Sequence, residues 1–172
     1  YHWELTCYQP TFEMHPALAG STFYEIFPDR FYRSPSYVAH PIPGTILRDD
    51  WGNLPTYLPT VSSTGKLEVK NNDFFGGNLA GIMEKLPYLK ELGVKILYLM
   101  PIWESKENHG YATANYLNVS PYLGSSDDLK KLCTKAHELG MYVMLDGVFN
   151  HTGSNSLYFN KEGEYPSLGA YQ

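Results

Sequence analysis

Cysteine is scarce. The 172-residue chain holds two, Cys7 and Cys133, too far apart to read as a disulfide framework. Basic runs are missing as well. Thirteen Lys and Arg face eighteen Asp and Glu, for a net charge of -5. Nucleic-acid binding is built on clustered Lys and Arg, so no nucleic-acid partner is expected. No apolar stretch approaches the roughly 20 residues of a membrane helix, so no membrane partner is expected either. Tyr1-His2-Trp3-Glu4 has neither the basic nor the apolar part of a signal peptide. The compartment, cytoplasmic or secreted, stays open. Also lacking is the pairing of low hydrophobicity with high net charge that marks disorder. With 43% hydrophobic residues, the chain can bury a core of about one domain.

Aromatic residues are in excess, at 15%, including fifteen tyrosines. Aromatic faces serve sugar-binding clefts and tyrosine-rich cores alike, so composition leans toward carbohydrate without deciding it.

Three β-prone runs stand out. Phe23-Tyr24-Glu25-Ile26-Phe27 is ended by Pro28. Val94-Lys95-Ile96-Leu97-Tyr98-Leu99-Met100 is stopped by Pro101, and Met141-Tyr142-Val143-Met144-Leu145 runs into Asp146. The last two are mostly apolar on both faces, as in the strands of a covered parallel sheet. Helical patterns precede them. Ser125-Ser126-Asp127-Asp128 predicts an N-cap and an acidic first turn. Leu129, Leu132, Cys133, Ala136 and Leu139 then recur at helical spacing, and Gly140 is a C′ stop. Cys133, on that stripe, is expected to be a buried small hydrophobe. An earlier helix is predicted over 79–92, with Ile82, Leu86 and Leu89 inward and a kink or break at Pro87. Strands alternating with helices predict an α/β fold with parallel strands. Residues 3–8 read as a lone strand outside this alternation.

Connections are uneven. Gly93 and Gly140 lead straight from helix to strand, while the segments after strands, 31–78 and 101–123, are long. In parallel α/β barrels the strand-to-helix loops build the active site and the other end serves stability. Length alone therefore puts function at the strand C-terminal ends.

One segment is more specific: Asp146-Gly147-Val148-Phe149-Asn150-His151, at the end of an apolar strand. Alone, D-x-x-x-N-H is a weak pattern. Upstream lie Leu92-Gly93-Val94-Lys95-Ile96-Leu97-Tyr98-Leu99-Met100-Pro101-Ile102-Trp103-Glu104 and Asn108-His109-Gly110-Tyr111. Ile26-Phe27-Pro28-Asp29-Arg30-Phe31 and Phe74-Phe75-Gly76-Gly77-Asn78-Leu79 complete the set. In this order and context they resemble the α-amylase family of glycoside hydrolases, and the last two resemble its neopullulanase-like branch. The resemblance runs from about residue 22 to the end. It implies the first three β/α units of a (β/α)8 TIM barrel with the start of an inserted domain B. Residues 1–20 would be the tail of a preceding β domain or a linker, 21–151 barrel strands 1–3, and 152–172 the start of domain B.

The resemblance also implies roles. His151 would donate to the sugar whose bond is cleaved, as a neutral imidazole can near pH 7. Tyr111 would be the aromatic platform under that sugar, since a C–H face packs on a ring as apolar surface. His109 would hydrogen-bond nearby in the cleft, and Asp146 would support the site without attacking the sugar. Plainer readings stand beside these: His151 satisfied by loop backbone, Tyr111 packed on the rim, His109 a surface imidazole, Asp146 bracing a loop. Asn150 matches a position that holds structural calcium through its amide oxygen, a donor suited to that ion, although the neopullulanase-like branch often lacks it. No organic cofactor is implied.

Several positions depart from the family. Asn78 stands where the branch usually has Asp, and Ser34-Pro35-Ser36-Tyr37-Val38-Ala39 lacks the Asn/Asp cluster of an N-terminal calcium site. Missing carboxylates remove the charge that gives calcium affinity. Ala112, Asn115 and Ser120 also replace acidic or amide residues. Retaining glycosidases need two carboxyl groups about 5–5.5 Å apart, which the family takes from the ends of its fourth and fifth strands. Three strands are legible here, and a whole barrel takes about 250 residues. The nucleophile and acid/base are therefore expected beyond Gln172, and none of Asp29, Asp49, Asp50 and Glu104 matches a catalytic position. The chain is thus expected to be part of a retaining α-glucan hydrolase cleaving α-1,4-glucosidic bonds in starch, maltodextrin, cyclodextrin or pullulan. It would be truncated at both ends, inactive alone, and self-associating through open sheet edges. A glucan transglycosylase and a non-catalytic glucan-binding relative are the alternatives.

Overall fold

The computed structural model describes residues 2–9, 11, 13–38, 40 and 42–172. Tyr1, Pro10 and Phe12 of the N-terminal segment, Ala39 at the end of Ser34-Pro35-Ser36-Tyr37-Val38-Ala39, and Pro41 lie outside the described residues. In chain order the first elements are β1 (Phe23–Ile26), α1 (Pro28–Phe31), β2 (Ile46–Leu47), β3 (Thr60–Val61), β4 (Leu67–Glu68) and β5 (Asp73–Phe74). Then come α2 (Leu79–Glu84), α3 (Leu86–Glu91), β6 (Ile96–Leu99), β7 (Trp103–Glu104), β8 (Asn115–Val119), α4 (Ser126–Glu138) and β9 (Tyr142–Leu145).

The three apolar runs pair side by side, all parallel, in the order β1, β6, β9. Successive side chains alternate between the faces of a strand. Leu97 and Leu99 of β6, with Ile26 of β1, join one core with Ile82, Leu86, Leu89, Leu132 and Ala136 of the helices. Val143 and Leu145 of β9 pack against it, partly buried. Each fully buried Leu or Ile contributes on the order of 1.5–3 kcal/mol. The register puts Glu25, Tyr98 and Met144 in one row across the sheet, on the other face.

Helix boundaries follow local chemistry. Ser125 caps α4: its hydroxyl accepts from Asp128 N while the Asp128 carboxylate accepts from Ser125 N at 3.0 Å, a complete capping box. Gly140, at φ +70°, closes it. The predicted 79–92 helix is two short ones. Pro87 is near the start of α3, and the break falls at Lys85, where a proline two residues on is best tolerated. Asn78 caps α2, accepting from Gly81 N at 2.7 Å.

Two expectations need correcting, and the long segments carry ladders of their own. Residues 3–8 form no strand and lie exposed, because no neighbouring strand offers them a ladder. Cys133 is half-buried, since the α4 face nearest the core is filled by Leu132 and Ala136. The long segments are not structureless: β2 pairs with β5, β3 with β4, and β7 with β8.

Two glycines admit a close crossing over α1. A Cβ on Gly77 would stand 2.1 Å from Pro28 O, and one on Gly81 2.0 Å from Tyr32 O. Gly81 sits inside α2, where Ala normally stabilises a helix by about 1 kcal/mol. Forcing a methyl into packed backbone costs about 1–3 kcal/mol, so the clash wins. Gly81→Ala is expected to lower the urea midpoint of the chain, and a midpoint at or above wild type would show that the crossing is not tight.

Candidate functional site

The backbone of β9 continues its ladder one residue past the strand, Asp146 N donating to Leu99 O at 3.1 Å. Asp146 lies two residues after Met144 and so shares the face that carries Tyr98. The Tyr98 hydroxyl donates to Asp146 Oδ2 at 2.8 Å, and the Tyr111 hydroxyl donates to the same oxygen at 3.0 Å. Trp103 Nε1 donates to the Asp146 carbonyl at 3.3 Å. The hydrogen bond to Asp146, helped by burial, pushes the Tyr98 hydroxyl up to about 12. Burial first, then the same carboxylate, raises Tyr111 above its ordinary value. Asp146 is thus a strand-end brace that ties three aromatic side chains together.

Gly110 turns the next loop sharply, at φ +75°, with Pro101 O only 2.5 Å from where a Cβ would be. That turn sets His109 beside Tyr111. Tyr111 N donates to His109 Nδ1 at 3.1 Å, and the two rings lie 5.8 Å apart, tilted by 34°. An accepting Nδ1 puts the proton of a neutral imidazole on Nε2, which faces Glu107 Oε2 at 2.8 Å. His109 is half-buried and doubly engaged, unlike a free surface imidazole.

His151 and Asn150 are exposed and bond each other: Asn150 Nδ2 donates to His151 Nδ1 at 2.7 Å. A neutral His151 therefore presents its Nε2–H outward. The Tyr116 hydroxyl donates to the His151 carbonyl at 2.9 Å and to Val148 O. No hydrogen bond joins this pair to the Asp146 cluster among the described residues. Among the described residues no group of three His, Cys, Asp or Glu converges, and one amide oxygen at Asn150 does not make a cage of six or more oxygens.

Other strand-end carboxylates are committed to loop structure. Asp29 accepts from Phe75 N and Gly76 N, Asp50 binds Arg48 and Asn53, and Glu104 accepts from Asn118 at 3.4 Å. Residues 152–172 attach to the loop before them through Gly153 N to Thr113 O and Leu157 N to Ala114 O, both 2.9 Å. The Lys106–Glu164 ion pair adds to this.

Sequence reasoning missed Tyr98 and Trp103. Tyr98 carried a signal: a tyrosine within an apolar strand must find a partner for its hydroxyl. Trp103 carried none, because its partner is a backbone carbonyl distant in sequence.

The family described as "Alpha amylase, catalytic domain" matches residues 25–169. The chain is 44% identical to an amylopullulanase of Thermoanaerobacterium saccharolyticum, over 98% of this chain and 14% of that protein. It is 34% identical to neopullulanase 2 of Thermoactinomyces vulgaris, over 81% of this chain and 21% of that one. Among solved structures it is similar to the cyclic α-maltosyl-(1→6)-maltose hydrolase of Arthrobacter globiformis bound to cyclic α-maltosyl-(1→6)-maltose, with TM-score 0.64 and 31% identity. That match covers 88% of this chain and 30% of the other. The chain thus spans less than a third of the length of each.

The Tyr98 assignment has a pH consequence. A proton held more tightly in the folded state than in the unfolded one stabilises the fold below the ordinary value of 10; that contribution is lost as pH rises from 10 toward about 12. In Asp146→Asn, NMR of tyrosine labelled at Cζ should show the Tyr98 midpoint falling toward 10. Tyr98→Phe identifies the resonance. An unchanged midpoint would sink the pairing.

Proposed function

The chain belongs to the α-amylase catalytic-domain family, and from this premise we propose that it supplies the first three β/α units of a (β/α)8 barrel in a neopullulanase-like retaining α-glucan hydrolase. In this reading 21–151 carry barrel strands 1–3, 152–172 open domain B, and 1–20 link to a preceding β domain. The observation that carries it is the Asp146 cluster, a carboxylate holding two tyrosine hydroxyls at the C-terminal ends of neighbouring parallel strands. Such ends are where barrels of this kind place their chemistry.

Each residue then has a job. Asp146 and His109 fix Tyr111 at both ends, so its ring is a rigid face for the C–H side of a glucosyl unit. His151 offers Nε2–H to a hydroxyl of that unit. Tyr98 and Trp103 hold Asp146 and are positioning residues. The nucleophile and the general acid/base belong to later strands of the whole enzyme, and the α-1,4 bonds of starch, maltodextrin, cyclodextrin or pullulan are the substrate. Calcium has no step in this reading.

Measurements on the full-length parent and on the isolated chain test it. In the full-length parent, His151→Ala removes one hydrogen bond that tightens in the transition state, worth about 2–4 kcal/mol. Tyr111→Ala should lower kcat/KM on maltooligosaccharides roughly tenfold, on the order of one aromatic contact. A Tyr111→Ala enzyme equal to wild type would falsify the platform role. The isolated chain should release no reducing ends from maltotriose or starch. It should also elute above monomer size, because β1 and β9 each pair on one side only. Turnover by this chain alone would show that the nucleophile lies within it.

A further inference from the structure

Glu107, His109 and Tyr111 alternate along one loop, and the Gly110 turn brings the last two side by side. The backbone of Glu107 belongs to that turn. Its carbonyl accepts from Gly110 N at 3.2 Å, and its N–H donates to Ser105 Oγ at 3.1 Å. The side chain does something else. Oε2 lies 2.8 Å from His109 Nε2, and among the described residues the carboxylate pairs with no other cation. Lys106, its neighbour in the chain, is committed to Glu164.

We propose that Glu107 is a positioning residue: its carboxylate holds the His109 ring so that Nδ1 stays aimed at Tyr111 N. That Tyr111 is a sugar platform rests on the functional reading above. Counting donors and acceptors singles out the carboxylate. A neutral imidazole has one N–H and one bare nitrogen. Tyr111 N can only donate, so Nδ1 is bare and Nε2 carries the hydrogen. That hydrogen needs an acceptor, and an ionised carboxylate is an acceptor only.

Asn71 Nδ2 also approaches Nε2, at 3.4 Å. An NH2 group is a second donor there. Turned over, the amide would offer its oxygen, but a charged acceptor makes the shorter and stronger bond. The ring has one other position. Half a turn about Cβ–Cγ would put carbon Cδ2 against Tyr111 N and carbon Cε1 where Nε2 now meets Glu107, so both hydrogen bonds would go together. The His109 and Glu107 side chains are 27% and 36% exposed. Exposure weakens an ion pair, yet this contact only has to choose between two ring positions.

The test reads hydrogen exchange at the Tyr111 amide and steady-state kinetics on maltooligosaccharides, both in the full-length parent. Glu107→Ala should speed exchange at that amide by about tenfold, as local opening does. KM should rise about threefold with kcat nearly unchanged, because a platform contact is made in ground and transition states alike. Glu107→Gln keeps an acceptor oxygen and should restore both values to near wild type. Glu107→Lys offers only donors and should behave like Glu107→Ala. A residue that merely filled space would not separate Gln from Lys in this way. A Tyr111 amide as protected in Glu107→Ala as in wild type overturns the proposal. So does faster exchange in Asn71→Gly alone, a change that the φ of 48° at that position accommodates. If the amide responds to Glu107 as expected while Tyr111→Ala keeps wild-type kcat/KM, the positioning role stands and the platform reading falls.

Discussion

At the end of β1 a buried carboxylate holds the strand-end face together. Asp29 accepts from Phe75 N at 3.1 and 3.0 Å and from Gly76 N at 2.9 Å, and its own carbonyl accepts from Gly77 N at 2.9 Å. Burial raises its carboxyl above the usual range; the two amides and Arg30 pull it back. A buried charge without such partners costs far more than it returns. The turn it grips leads at once to Asn78, the cap of α2, and so to the helix layer. In the other direction, Arg30 reaches the Asp73 carbonyl at 3.0 Å, and Asn108 donates to the same carbonyl and to the Asp73 carboxylate. His109 follows Asn108 in the chain. One short series of polar contacts thus runs from the first strand to the imidazole beside Tyr111.

What could be read in advance was what is local. The three strands, the Ser125 cap and the interruption near Pro87 depend on periodicity, a side chain meeting a nearby amide, and a missing N–H. All of these are written within a few residues. The short ladders β2–β5 and β7–β8 are two to five residues long and exist because distant loops meet. Nothing in Ile46-Leu47 or Trp103-Glu104 says which partner it will find. Cys133 shows a subtler limit: the stripe gave the right helix face, but not which side chains would fill its centre.

The site was legible in uneven measure. Asp146, Tyr111 and His109 were named from their resemblance to a family, and the fold brings those three together. Asn150 and His151 came from the same motif, yet here they bond each other on an exposed turn. Tyr98 could have been found from its hydroxyl, which needs a partner inside an otherwise apolar run.

The two ends of the sheet also differ in what they can absorb. Gly93 and Gly140, both at positive φ, turn a helix into a strand with almost no spare chain. One inserted residue there would slide β6 or β9 by a position, sending Leu97 and Leu99 to the face of Tyr98 and Tyr98 into the helices. At the opposite end the same insertion only lengthens a loop, and even doubling a flexible loop costs about 0.6 kcal/mol. Length is free to accumulate at the strand C-terminal ends alone. New contacts for a substrate can be added there while the register of the strands beneath stays fixed.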